Sequence, residues 1–151
     1  MSDTIKLSVR RQLSNFKHVL QSLGADKFDL LLPETSALID IIHANEIVLG
    51  IVYGKYKQDN SEHSIGRGIL VATNRRVLLV DKKPMFLKCD ELSYNVVSGV
   101  SDSKAGIAGT LTVHSRTGDI SIRTYNAKCA HIFLEAIEVQ CLNGQSLQSG
   151  F

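Results

Sequence analysis

Apolar residues along this chain change period twice, from helix to strand spacing and back. Between residues 3 and 23, Ile5, Val9, Leu13, Phe16, Leu20 and Leu23 recur every three or four positions, one stripe of an amphipathic helix. Ser2 or Asp3 can cap its start, and Gly24 stands where such a helix ends. Residues 26–33 read as a connector. Residues 34–42 read as a second, short helix burying Leu38, Ile41 and Ile42. From Glu46 the period falls to two: Ile47, Leu49, Ile51 and Tyr53 alternate with Val48 and Val52 in a first long strand. Gly50 and Gly54 mark places where that strand bulges or bends, and residues 58–64 form a polar loop.

The next stretch, residues 66–83, sets the fold. Two apolar runs, 69–72 and 77–80, flank the polar tetrapeptide Thr73, Asn74, Arg75 and Arg76, the pattern of an antiparallel hairpin. Both runs are apolar on both faces, so the hairpin should be central and covered on each side. Inside a barrel one face is covered by the core, and the other needs a second cover. Two are available: the Ile5–Leu23 stripe, or the same surface on a sister subunit. The pattern therefore predicts a homo-oligomer, most simply a dimer, with Ile5, Val9, Leu13, Phe16, Leu20, Leu70 and Leu78 at its interface.

Lys82, Lys83 and Pro84 make a turn, residues 85–88 a short fourth strand, and residues 92–101 a fifth carrying Val96, Val97 and Val100. Residues 102–109 read as a flexible bend. Leu111 and Val113 alternate with Thr112 and His114, and Ile120 and Ile122 with Ser121 and Arg123, across a turn at Ser115–Gly118. The helical period then returns. Asn126 is a good N-cap, and Ala130, Phe133, Leu134, Ile137 and Cys141 form the stripe of a helix of about four turns. Residues 143–151 read as a polar, frayed tail. About seven short antiparallel strands and a closing helix, with Phe133, Leu134 and Ile137 as the plug, make a mainly β, α+β fold.

Composition narrows the function classes. A chain of 151 residues with 44% hydrophobic and 21% charged residues fits one globular domain, and a net charge of +2 gives no bulk attraction to nucleic acid. No apolar run approaches the roughly 18 residues of a membrane span, and residues 1–25 lack the apolar core of a secretory leader. Cys89, Cys129 and Cys141 form no C-x-x-C pair and read as buried or partly buried thiols of a cytoplasmic protein. The five histidines show no metal-ligand spacing, no Gly-x-Ser-x-Gly elbow is present, and the glycines at 66, 68, 106 and 109 do not build a phosphate loop. Asp90 and Glu91 read as solvated carboxylates, and Arg75, Arg76, Lys82 and Lys83 as solvated charge at opposite ends of a strand.

The segment Gly68 to Asp81 (GILVATNRRVLLVD), with VVSGV at 96–100, GTLTV at 109–113 and the C-terminal helix, resembles the bacterial pleckstrin-homology-like (PH-like) domain family over roughly residues 34–141. The resemblance implies a strongly bent seven-stranded sheet, or partly open barrel, capped by one helix. It implies no enzymatic activity, and several members are oligomers. The eukaryotic domains of this kind that bind inositol phosphates carry a Lys before the first strand–strand loop and a basic-x-Arg after it. Here Lys55 and Lys57 precede the loop and Arg67 follows it, but Ile65 takes the second basic position, and Asp59 and Glu62 lie within the loop. What the resemblance leaves is a weak anion or lipid contact at Lys55, Lys57 and Arg67.

The chain thus divides into an N-terminal amphipathic helix (1–25), a PH-like domain (34–141) and a tail (142–151). The leading expectation is a non-enzymatic cytoplasmic binding or assembly module that contacts itself or another protein, with no cofactor, no metal, no nucleic acid and no small-molecule substrate. The alternative is a protein peripheral to the inner face of the membrane. It would hold anionic lipid through the exposed basic residues and the N-terminal helix, whose remaining surface carries Lys6, Arg10, Arg11 and Lys17.

Overall fold

A computed structural model describes the backbone of residues 3–59 and 65–149, and side chains within 12–59 and 65–143. Helix α1 (Asp3–Ser22), a 3-10 turn (Asp29–Leu31) and helix α2 (Pro33–Ile41) precede seven strands. These are β1 (Val48–Gln58), β2 (Ile65–Thr73), β3 (Arg76–Lys83), β4 (Phe86–Ser93), β5 (Val97–Ala105), β6 (Ala108–Ser115) and β7 (Ile120–Thr124), and helix α3 (Ala127–Ser149) closes the chain. All seven lie in one antiparallel sheet of order β4-β3-β2-β1-β7-β6-β5, an open barrel with β4 and β5 as its two edges.

The long strand β1 joins the two halves of the sheet. It pairs with β2 from Val48 to Lys57, and with β7 from Lys55 to Gln58. Glycine is required where the halves converge. A Cβ at Gly54 would stand 1.9 Å from the Arg123 carbonyl oxygen, and one at Gly50 would stand 2.8 Å from the Cα of Phe133 on α3. The expected bulge is at Gly50, between Val48 and Gly50. It reverses the parity of Val48, which joins the outer cluster with Ile51 and Tyr53 rather than facing inward with Val52.

The hairpin β2–β3 is apolar on both faces, and each face has its cover. Inside, Leu70, Ala72, Val77 and Leu79 pack with Val52, Leu111, Val113 and Ile122 around Phe133 and Ile137 of α3. Both α3 side chains are fully buried, and Leu134 is partly so. Outside, Ile69, Val71, Leu78 and Val80 pack under Leu20 of α1, Leu30 of the 3-10 turn, Leu38 of α2 and Cys129 of α3. The second cover therefore comes from the same chain. Of the residues assigned from sequence to an interface between subunits, Leu20, Leu70 and Leu78 have no exposed surface, and Leu70 faces the barrel interior. Phe16 packs at the edge of the outer cluster, Leu13 is half-buried, and the side chains of Ile5 and Val9 fall outside the described residues.

Polar contacts fasten this outer layer. Asn126 caps α3, its Oδ1 accepting from the Cys129 amide at 3.1 Å, while its Nδ2 donates to the Gly24 carbonyl at 2.8 Å and ties α1 to α3. Arg76, expected to be solvated, is mostly buried instead. Its guanidinium holds both oxygens of Glu46 at 2.9 Å, donates to the Ile41 carbonyl and pairs with Glu91. A bidentate pair of this kind needs a carboxylate brought in by the loop before β1, which hairpin composition does not reveal.

Other boundaries moved for physical reasons. Leu92 and Ser93 end β4 rather than open β5, because β4 stays paired with β3 along its full length to Arg76. Residues 102–105 are strand, not bend. They are exposed on an edge and so show no apolar alternation, and the turn shrinks to Gly106 (φ +63°) and Ile107. Helix α3 runs through residues 143–149, since a single Gly144 costs a helix only about 1 kcal/mol. Cys89 is exposed on β4, unlike the other two thiols. Residues 60–64 of the expected polar loop lie outside the described residues.

Two outcomes test this architecture. Phe133→Ala should lower the unfolding free energy by about 3–5 kcal/mol in a urea titration, as for a fully enclosed ring. Burial pushes the Glu46 carboxyl up, but bonds from Arg76, Thr73 and the His43 amide outweigh it and hold the pKa at about 2, below the 4.5 of an ordinary glutamate. The stability this gives is complete above pH 4.5 and is lost as pH falls toward about 2. The urea midpoint of the wild type should therefore exceed that of Glu46→Gln at pH 6, and the gap should narrow through that window.

Candidate binding face

Strand pairing gathers the basic residues that matter. Lys55 on β1 is directly opposite Arg67 on β2 and directly opposite Arg123 on β7. Cross-strand neighbours point to the same side of a sheet, so these three exposed cations stand in one row across three strands, on the outer face. The row borders a cleft of about 570 Å³ also lined by Lys82, Lys83, Leu32, Pro84 and Tyr125. Lys83 is committed to Asp81 at 2.6 Å and Glu34 at 3.6 Å, which raises its pKa, chiefly through the Asp81 bond. Lys55, Arg67, Lys82 and Arg123 form no ion pair among the described residues. Arg123 lies 5.9 Å from the Tyr125 ring instead.

Like charges set directly opposite are destabilising. The row is thus held at a cost by the rest of the fold, and an anion placed over it removes that cost. Of the sequence candidates, Lys55 and Arg67 share the cleft. Lys57 is one row further along, opposite Ile65 and Ser121. Lys82 was read as solvated charge, and Arg123 escaped the sequence reading. Arg123 is 68 positions from Lys55, and only the β1–β7 junction brings them together; its outward parity beside Ile122 was the sole signal.

The mouth of the barrel, on the inner side of the same strands, is unsuited to an anion. Tyr56 donates to Asp81 at 2.6 Å, Gln58 donates to Asp90 at 2.9 Å, and Lys88 lies 3.8 Å from Asp90 and 5.3 Å from the Tyr56 ring. Among the described residues, its cation Lys88 faces the Asp90 carboxylate.

Nucleophile geometry occurs once among the described hydrogen bonds. Ser101 Oγ is 2.8 Å from His114 Nε2, and His114 Nδ1 is 3.1 Å from Asp119 Oδ2, the connectivity of a serine–histidine–aspartate relay. The Ser115 amide, then His114, holds the Asp119 carboxyl below its usual range. Ser101 is exposed on edge strand β5, however, and lines neither the cationic cleft nor a second, mainly apolar cleft of about 360 Å³ between the β5–β6 turn and α3. A substrate acyl group has no wall to lie against there, and the contacts read as a surface network that fixes the β6–β7 turn. Burial pushes the Cys129 thiol up to about 12, which leaves it inert as a nucleophile. Among the described residues no group of His, Cys, Asp and Glu is placed to hold a metal.

With this geometry in hand, the likeness to known proteins is informative. A family model described as "Bacterial PH domain" matches residues 42–139. Among solved structures, the Vps36 N-terminal PH domain superposes with a TM-score of 0.53 at 15% identity, covering 70% of this chain and 86% of that one. A DUF1696 family protein with a pleckstrin-homology domain from Shewanella loihica PV-4 gives 0.41 at 15% identity, covering 72% and 89%. No curated protein matches. The likeness extends to the fold, and α1, the 3-10 turn and α2 lie outside the matched family segment.

Proposed function

This chain belongs to the bacterial PH domain family, and from that premise we propose that it is a non-enzymatic module binding an anionic group on the Arg67–Lys55–Arg123 face. The family's fold is that of a binding module, generally without catalysis. The observation that carries the anionic reading is the row itself: three cations in direct cross-strand register, with Lys82 in the same cleft and no ion-pair partner among the described residues. Solvated surface lysines scatter; a register-matched row beside a cleft concentrates field where a phosphate or carboxylate can sit. The assembly reading asked for a cover over the outer hairpin face, and within one chain α1, α2 and the 3-10 turn lie over it.

Calorimetric titration of the full chain with inorganic tripolyphosphate tests the proposal. The wild type should bind, more weakly as salt rises. Each cation contributes on the order of 1 kcal/mol, about fivefold in affinity, so Lys55→Gln, Arg67→Gln and Arg123→Gln together should lose roughly 100-fold. The same triple variant should melt no lower than the wild type, because it relieves the repulsion along the row. Unchanged affinity in a folded triple variant refutes this site.

A further inference from the structure

We propose that the free edge of β4 pairs antiparallel with β4 of a second copy of this chain, in a register centred on Cys89. Strand β4 ends the sheet order and is paired with β3 alone, from Phe86 to Ser93. Alternate N–H and C=O groups along it therefore point away from the sheet, a template for one more strand. Folds blunt such an edge with proline, a bulge or a cover. Strand β4 contains no proline, and its register with β3 runs without a shift. At its start Met85 is 93% exposed, and Phe86 and Leu87 are each 49% exposed. The opposite edge is blunted: the register of β5 shifts between Val97 and Gly99, and α3 packs against it.

Symmetry and charge select both the partner and the register. Two identical antiparallel strands exchange across a two-fold axis normal to the sheet, and residues directly opposite point to the same side. Such a pair is centred on a residue, never between two. On a strand spanning Phe86–Ser93, centres at Cys89 and Asp90 give the longest overlaps. An Asp90 centre sets that carboxylate against its own copy, and a Lys88 centre does the same to the ammonium; both are destabilising. The Cys89 centre sets Lys88 opposite the partner's Asp90 and Phe86 opposite the partner's Leu92, each twice. Leu87 falls opposite the partner's Glu91, and no like charges meet. Lys88 already lies 3.8 Å from Asp90 of its own strand, so the two-fold extends that contact into a square of alternating charge. The match of this edge to itself is what favours a second copy over an unrelated strand.

Sedimentation of the full chain from micromolar to millimolar concentration should show a monomer–dimer equilibrium, weak because an edge contact is small. Cys89 is exposed, and opposite Cβ atoms stand about 5 Å apart, so a short bis-maleimide should join two copies. Cys89→Ser should abolish that product. Lys88→Asp and Asp90→Lys should each weaken self-association by about tenfold, because each sets like charges opposite one another twice. Mixed in equal amounts, the two variants complement each other and should recover wild-type association. A wild type that stays monomeric, a cross-link that persists in Cys89→Ser, or association untouched by the single variants overturns the proposal. A mixture that associates no better than its components overturns the register. Where a charge variant fails to fold, the wild-type cross-link at Cys89 decides: its absence overturns the edge pairing.

Discussion

A hairpin apolar on both faces cannot stand at the surface of a barrel, and the rest of this structure answers that constraint. Strands β2 and β3 give one layer of side chains to α3 and another to α1, the 3-10 turn and α2. Burying an aliphatic side chain is worth about 1.5–3 kcal/mol, so an uncovered outer layer would forfeit more than a domain of this size has to spare. The staples fall where the cover meets the sheet. Arg76 reaches from the hairpin tip to Glu46 and to the end of α2, and Asn126 ties α1 to α3. The segments before β1 are thus part of the domain's core, although the family match begins only at residue 42.

The second determinant is the junction in β1. An open barrel of alternating strands needs one strand long enough to pair on both sides, and the convergence point admits no side chain at Gly54. One residue later, Lys55 faces outward between Arg67 and Arg123. The geometry that joins the two halves of the sheet is therefore the same geometry that assembles the cationic row. A register slip of one residue would turn Lys55 into the core and scatter the row.

This explains which features were legible in the chain. Periodicity read the helices, the central hairpin, β6 and β7, and the plug at Phe133, because each signals through neighbours in sequence. The two-sided apolarity of 69–72 and 77–80 correctly demanded a second cover, but pattern alone could not choose between the chain's own helix and a sister subunit. Edge segments were misread for the opposite reason: residues 102–105 face solvent and carry no alternation to detect. Two cations of the row were visible, since Lys55 and Arg67 flank one loop. Arg123 was not, because its meeting with them depends on strand order, and Arg76 hid its buried pair behind a hairpin-tip position that usually means solvent.

The boundary between cover and cleft gives the site its character. On the outer face the row Tyr53–Ile69 is buried under the connector, with the Tyr53 hydroxyl held by Thr35; two residues along each strand, the next row is Lys55–Arg67. The cover ends between these rows, so Leu32 and Pro33 border the first uncovered charges. On the inner face of the same strands, the carboxylates are partnered: Asp81 with Tyr56, Asp90 with Gln58 and Lys88. A sheet that neutralises its inner mouth yet sets like charges in register outside carries repulsion that its own packing does not need. Under the proposed function, that repulsion is what an anion bound over the row would offset.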